Sequence, residues 1–355
     1  MTRDYSLIFG SGSQRFDVPP LTRLGWQTVF ARQTDADEMV AFPPVRVLEV
    51  HRSGLIVRGE DLDETLPPRA DVTVGDWLLF DRERPSDSRL LDRKSLFRRR
   101  AAGHDRQSQL IAANVDTVFV VTSCNRDFNV ARLERYLALA FEAGSDPVIV
   151  LTKADLSEEQ DRFEREAQAI SDKVPVLTVD ARTPAVREAL KPWLGLGRTV
   201  AFLGTSGVGK STLVNALLGE DKVETGAVRE DDSRGRHTTT RRQLLFTEEG
   251  SGVVDTPGMR ELQLSDVGAG LSELFGDIED LATQCKFRDC AHETEPGCAV
   301  RAAMEAGVLD EPRMARWKKL VAEDRHNTES LAERHARERK FGKLVKEVVK
   351  DKRSK

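Results

Sequence analysis

The chain has 355 residues, 39% of them apolar and 32% charged, with a formal net charge of −5. That length suggests two or three domains, and the apolar fraction excludes a disordered or fibrous chain. No stretch approaches the roughly 20 apolar residues of a membrane span, and the opening MTRDYSLIFGSGSQRF lacks a basic segment followed by an apolar core. The expectation is a cytoplasmic protein with no membrane partner, whose four cysteines stay reduced.

Residues 1–43 carry one apolar cluster, LTRLGWQTVF, and are expected to form an N-terminal extension packed on its neighbour. Across residues 44–98 the text changes to short β-rich runs, VRVLEV, GLIVRG, DVTV and DWLLF, separated by turn residues. A compact OB-fold-like β-barrel fits this length, because closing a small sheet removes its exposed edges. The segment RKSLFRRRAAGHDRQSQ has charge without apolar periodicity and reads as a linker. Its cations, Arg93, Lys94, Arg98, Arg99 and Arg100, lie at the barrel's exit, where they suit an RNA phosphate backbone or a rigid solvated spacer.

Residues 99–264 alternate buried strand and helix. Apolar runs at 115–121, 148–151, 176–179, 200–203, 244–246 and 253–254 are separated by patterns such as VARLERYLALAFEAG, in which Leu133, Tyr136, Leu137 and Ala140 share one helix face. This spacing predicts an α/β domain on a mostly parallel sheet. The first of its motifs follows the strand VIVL as Thr152, Lys153, Ala154 and Asp155. Selecting guanine requires an acid that accepts from the ring N–H and the exocyclic amine; Asp155 suits that task, with the Lys153 stem lying on the purine face. A surface salt bridge is the competing reading of K-x-D, but the end of an α/β strand is where ligands bind.

Between the strand TVAFL and a helix stands GTSGVGKST, comprising Gly204, Thr205, Ser206, Gly207, Val208, Gly209, Lys210, Ser211 and Thr212. It satisfies G-x-x-x-x-G-K-[ST], a pattern expected by chance in about one chain in a hundred at this length. Its glycines let successive N–H groups face one anion at a helix N-terminus. Lys210 would reach the β- and γ-phosphates, and Ser211 would hold Mg²⁺. GRHTTT then places His237, Thr238, Thr239 and Thr240 in an aperiodic polar stretch, whose threonines can offer a hydroxyl to Mg²⁺ or begin a strand. In GVVDTPG, Asp255 suits the second carboxylate of a Mg²⁺ site, and the Gly258 amide a γ-phosphate contact.

Past about residue 264 the strands stop, and residues 265–355 read as a helical domain around Cys285, Cys290, His292 and Cys298. Three thiolates and an imidazole complete a closed tetrahedral shell, the arrangement of structural Zn²⁺. The chain ends in a basic tail: from Arg313 onward there are 15 Lys and Arg against 7 Asp and Glu, while residues 1–312 are net acidic. The Arg334–Lys355 stretch suits phosphate contacts or simple solvation.

The set GTSGVGKST, DTPG and TKAD resembles the G1, G3 and G4 motifs of translation-factor-class GTPases, with the base motif placed about 50 residues before the phosphate loop. A circular permutation accounts for that order, since the strands keep their places while the chain enters elsewhere. With AANVDTVFVVTS, RLERYL, GRHTTT and CKFRDCAHETEPGCAV added, residues 21–320 resemble the ribosome small subunit-dependent GTPase A family, called RsgA, YjeQ or YloQ. The resemblance implies an OB-like barrel, a permuted GTPase domain and a helical zinc domain. It further implies a monomer that binds GTP and GDP with Mg²⁺ and one structural Zn²⁺ per chain, docks on the small (30S) ribosomal subunit and its rRNA, and hydrolyses GTP to time its release. Thr152 stands where many GTPases have Asn, with its hydroxyl expected near the base, and Asp180 in LTVDAR stands where the G5 motif usually has Ser. Met259 occupies the position at which Ras-like enzymes carry a catalytic glutamine. The family pattern assigns the water-orienting role to His237; an exposed loop histidine is the competing reading. Two rivals stay open: a nucleotide-regulated RNA-binding module with incidental hydrolysis, and a P-loop ATPase.

Overall fold

The Val, Ile and Leu runs form strands wherever both faces can be covered. The computed structural model describes residues 18–100, 108–219, 242–256 and 267–328. The chain divides into two compact units, residues 1–262 and 263–355.

In the first unit, β1 (Pro44–His51), β2 (Gly54–Arg58), β3 (Asp63–Leu66), β4 (Trp77–Leu79) and β5 (Arg89–Leu90) pair antiparallel in the order β3-β2-β1-β4-β5. Because side chains alternate along a strand, Leu78 faces Val45, Val47, Leu55, Val57 and Leu66, while Trp77 and Leu79 face the other way. That second face is covered by the preceding chain, where the short helices α1 (Pro20–Arg23), α2 (Thr28–Ala31) and α3 (Ala36–Ala41) follow one another. Leu24 and Phe30 are buried there, and Trp26 meets Trp77 edge-on at 4.9 Å between ring centroids. Asp35 caps α3, accepting from the Glu38 amide at 2.8 Å.

Two readings of this region change. Residues 71–74, DVTV, form no strand: the Asp76 carboxylate accepts from the Thr73 amide at 2.7 Å, and Gly75 turns the chain at φ +90°. Strand β3 comes instead from the polar DETL. The expected linker is also structured, since β6 (Leu96–Arg100) and β7 (Ser108–Ala113) make an antiparallel two-stranded ribbon. Its local text has little β-propensity, so the pairing partner creates the strand.

The remainder of the first unit contains β8 (Thr117–Ser123), α4 (Val130–Glu142), β9 (Asp146–Thr152), α5 (Gln160–Gln168), β10 (Val176–Thr178), α6 (Ala185–Leu190), β11 (Thr199–Leu203), α7 (Lys210–Leu218), β12 (Arg242–Phe246) and β13 (Gly252–Asp255). The order is β10-β9-β8-β11-β13-β12, parallel through β13, with β12 antiparallel. Phe119, Val148, Val150, Phe202, Leu213 and Val253 are among the residues that fill the core between sheet and helices. Strand β12 also pairs with β1, Glu49 opposite Gln243 and Val50 opposite Arg242, so the two strand groups share one mixed 11-stranded sheet.

Arg46 ties this unit together from inside. Its side chain is fully buried, with Nη1 donating to the Leu24 carbonyl at 2.5 Å, Nη2 to Thr199 Oγ1 at 2.8 Å and Nε to the Gly75 carbonyl at 3.4 Å. Burial lowers its pKa to about 10, against the raising influence of Asp116 and Asp76. A buried charge persists only when its donors are used, and here they are.

The second unit is helical in its described residues: α8 (Gly268–Leu274), α9 (Gly276–Thr283), α10 (Ala299–Glu305) and α11 (Glu311–Thr328). Leu271, Leu274, Phe275, Ile278, Val300, Met314 and Leu320 are buried. Arg313 of α11 holds Asp277 at 2.9 and 3.0 Å and lies over the Phe275 ring at 4.9 Å. No helix among the described residues is long and apolar enough to cross a membrane.

Candidate functional site

Because β9, β11 and β13 run parallel, their C-terminal ends deliver Thr152, Leu203 and Asp255 to the same edge of the sheet. The phosphate loop leaves β11 through Gly204 at φ +144°, where a Cβ would lie 2.3 Å from the Val121 carbonyl oxygen of β8, so glycine alone fits. Gly209, at φ +99°, precedes the first turn of α7. Thr205, Ser206 and Gly207 line the open side of the loop, Val208 anchors it in the core, and Ser211 and Thr212 sit half-buried in the first helical turn. The helix N-terminus thus presents free amides and positive dipole toward an anion. Lys210 is buried, its Nζ donating to the Gly204 carbonyl at 2.7 Å and to the Thr205 carbonyl.

The base motif meets this loop directly. Thr152, expected beside the base, is buried with its hydroxyl donating to the Val208 carbonyl at 2.6 Å, with the Thr122 carbonyl at 3.2 Å. Lys153 adopts left-handed backbone (φ +56°) and reaches the Gly207 carbonyl with Nζ at 2.7 Å. Ala154 is buried. Asp155 is half-exposed and accepts from Arg182 Nη2 at 2.5 Å. Arg182 is itself held by Asp180, at 3.1 Å through Nε and 3.2 Å through Nη2. Residue Asp180, unusual for a G5 segment, therefore positions an arginine against the Asp155 carboxylate.

A small recess of about 30 Å³ beside the loop is lined by Lys210, Ser211, Asp255 and Thr256, with Phe202, Val214 and Val254 as apolar walls. Asp255 Oδ2 accepts from Gln243 Nε2 at 3.1 Å across β12 and β13. A hydroxyl, a carboxylate and a second, buried hydroxyl are oxygen donors of the kind Mg²⁺ takes, so the residues present fit that ion. Thr256 reads from the sequence only as a member of DTPG, with no role of its own, and Gln243 is not singled out there. Strand alternation in RQLLF could have aimed Gln243 at β13; DTPG marks Thr256 by position but not the burial of its hydroxyl. His237, Thr238, Thr239, Thr240, Gly258, Met259 and the stretch from Arg334 to Lys355 lie outside the described residues.

In the second unit, Cys285, Cys290, His292 and Cys298 place one ligand atom each within 4.8 Å of all the others. His292 Nδ1 is 3.6 Å from Cys285 Sγ and 3.5 Å from Cys298 Sγ, and those two sulfurs are 3.9 Å apart. A tetrahedron with Zn–S of about 2.3 Å and Zn–N of about 2.05 Å has edges of about 3.6 and 3.8 Å, which these distances match. Although desolvation opposes it, the amides of Val300 and Ala299 at the start of α10 hold the Cys285 thiol below its ordinary pKa, favouring thiolate. Desolvation and the adjoining Cys285 push Cys290 up to about 11, a repulsion that a divalent cation would remove. Burial, then Lys318, lowers the His292 pKa, leaving a neutral imidazole able to ligate. The loop is shaped by Glu295, whose carboxylate accepts from the amides of Ala291, Glu293 and Thr294 at 2.8–3.0 Å.

Of the cations expected to face RNA, Arg93 and Lys94 are committed internally: Arg93 to Asp76 at 2.7 and 2.8 Å, Lys94 to Asp116 and to Gln27. Arg98 on β6 is exposed, and Arg99 donates to Gln109 at 2.8 Å.

A phosphate loop bonded through its own backbone to a K-x-D motif that precedes it in the chain defines a circularly permuted P-loop GTPase. Comparison with known proteins is specific. Residues 90–265 match the model of the RsgA GTPase family. The chain is 48% identical over 340 residues to "Small ribosomal subunit biogenesis GTPase RsgA 2" of Vibrio parahaemolyticus serotype O3:K6, covering 94% of both chains. It is 51% identical over 319 residues to "Small ribosomal subunit biogenesis GTPase RsgA" of Mesorhizobium japonicum, covering 87% of this chain and 91% of that protein. Among solved structures it is similar to YjeQ from Thermotoga maritima, with TM-score 0.56 and 29% identity, covering 78% of this chain and 96% of that one. It is also similar to YloQ, a circularly permuted GTPase, with TM-score 0.52 and 25% identity over 81% and 97% of the two chains. The chain belongs to the RsgA GTPase family.

Proposed function

We propose that this GTPase binds the small ribosomal subunit late in its maturation and couples hydrolysis of GTP to its own release. The observation that carries the nucleotide reading is the pair of bonds from Thr152 and Lys153 to the phosphate-loop carbonyls of Val208 and Gly207, which supports reading the K-x-D motif and the phosphate loop as one site. The ribosomal part is supported by relatives 48% and 51% identical, whose names state small ribosomal subunit biogenesis.

In this reading the loop amides and the α7 N-terminus bind the phosphates, and Lys210 exchanges its loop carbonyls for β- and γ-phosphate oxygens. Asp155 accepts from the guanine edge, and the Lys153 stem covers the base. Ser211 and Asp255, the latter oriented by Gln243, would hold Mg²⁺, which when bound neutralises charge developing on the phosphates. Thr238 or Thr239 adds a hydroxyl to that ion, the Gly258 amide contacts the γ-phosphate, and His237 orients the attacking water in place of the Ras-like glutamine. Cys285, Cys290, His292 and Cys298 hold one structural Zn²⁺. The antiparallel order β3-β2-β1-β4-β5, with no β3–β5 pairing among the described residues, supports a partly open OB-like barrel over residues 44–98. The permuted GTPase domain spans 99–264 and the zinc domain 265–355.

The test is GTP turnover with and without purified 30S particles. Stimulation by 30S, lost in His237→Ala while GTP binding is kept, is the expected result. RNA binding without stimulated turnover would instead favour an assembly module in which hydrolysis is incidental.

A further inference from the structure

Thr256 follows the metal-site carboxylate Asp255 and is 6% exposed, yet its Oγ1 has no hydrogen-bond partner among the described residues. A buried hydroxyl without a partner is costly, and the great majority of such groups in folded proteins are paired. Valine would fill the same volume at the end of β13 and spare that cost. The orphan is not in the general core: it lines the same recess as Lys210, Ser211 and Asp255. Among the described residues, no other buried side-chain polar atom lining that recess lacks a partner. Asp255 is engaged by Gln243, Lys210 by the carbonyls of Gly204 and Thr205, and Thr152 by those of Val208 and Thr122.

We infer that the Thr256 hydroxyl is a further positioning group of the magnesium subsite, bonding a water of the ion's hydration shell so that Asp255 and Thr256 orient the ion together. The chemistry suits the position. Mg²⁺ dehydrates reluctantly and keeps several waters, each needing an acceptor or donor in the second layer. A hydroxyl serves such a water as donor or acceptor, and on the side of the apolar walls Phe202, Val214 and Val254 the recess offers it no protein partner. The inference rests on the GTP and Mg²⁺ reading given above.

The test compares Thr256→Val and Thr256→Ser with the wild type in the full chain. A fluorescent, non-hydrolysable GTP analogue is titrated once in millimolar Mg²⁺ and once in EDTA, and the thermal midpoint of the nucleotide-free protein is measured in parallel. Thr256→Val is expected to weaken binding on the order of tenfold in Mg²⁺ and to leave binding in EDTA unchanged. That is the loss of one hydrogen bond to a charged group. Its nucleotide-free midpoint should equal or exceed that of the wild type, because the orphan is gone, and Thr256→Ser should restore the Mg²⁺-dependent gain. Equal affinity of Thr256→Val and wild type in Mg²⁺ overturns the inference, and so does an equal loss in EDTA, which marks a structural role. A wild type whose guanine-nucleotide affinity ignores Mg²⁺ contradicts the underlying reading itself, a different result from either.

Discussion

Replacing Arg46 by methionine separates the joints that this side chain makes inside the first unit. Methionine keeps most of the stem's packing near Trp77 but removes the guanidinium, with its two short bonds to the Leu24 carbonyl and Thr199 Oγ1 and its long one to the Gly75 carbonyl, an acceptor that Asn114 Nδ2 still serves at 3.0 Å. Two hydrogen bonds to a charged group contribute about 3–6 kcal/mol together. Returning a fully buried cation to water offsets roughly half of that, in line with the depression of its pKa by burial. Asp76 and Asp116 are not orphaned, because Arg93 and Lys94 stay in place. The net loss is about 2–3 kcal/mol, and at about 2–4 °C per kcal/mol for a unit of this size the midpoint falls by roughly 5–10 °C. Thermal unfolding followed by tryptophan fluorescence reads it well, since Trp26 and Trp77 pack beside the site. Gly25→Ala should act the same way, as a Cβ there would lie 2.4 Å from Arg46 Nη1. An Arg46→Met midpoint within about 1 °C of the wild type would refute the reasoning that these bonds outweigh the desolvation they require.

Cys298→Ser removes one member of the proposed zinc ligand set, which also caps α10, where its sulfur accepts from the Arg301 amide at 3.4 Å. Zinc content should fall from about one per chain to nearly none, with a change in Trp317 fluorescence, the indole lying 6.0 Å from the His292 ring; retention of full zinc would reject the ligand set. Arg182→Ala frees the Asp155 carboxylate from a guanidinium that occupies one of its oxygens, Oδ2. Guanine-nucleotide dissociation constants should drop severalfold at low salt, with the gap closing as salt screens the exposed pair; weaker binding would mean that Arg182 assists the base instead of competing with it.

What the residues announced in advance is what depends on local backbone chemistry. Gly204 and Gly209 suit glycine because both have positive φ and Gly204 also approaches β8 closely, so the phosphate site is written in a few consecutive letters. The clustering of Cys285, Cys290, His292 and Cys298 is legible because few residue types can ligate a metal and these four stand close together in the chain. Features set by partners distant in sequence were not legible. Strand β6 exists because β7 pairs with it, and Arg98 to Arg100 carry no hint of that. Arg93 and Lys94 look like free surface charge until Asp76 and Asp116 arrive beside them. The two-residue join of β1 to β12 is a meeting of edges across nearly 200 residues of chain, for which no local pattern exists. Thr256 shows its interest only as an unpaired atom, and pairing is a property of the fold.

The account depends on Asp155 and the phosphate loop serving one guanosine triphosphate. The most direct measurement is competition of GTP, XTP and ATP against a fluorescent GTP analogue for wild type and Asp155→Asn. Asparagine loses the carboxylate that accepts from the guanine N–H groups but offers an amide donor to the oxygen that xanthine carries in place of the exocyclic amine. Asp155→Asn should therefore bind GTP at least about tenfold more weakly and gain affinity for XTP, with ATP poor for both proteins. GTP affinity unchanged in Asp155→Asn, with no gain for XTP, would contradict the shared site.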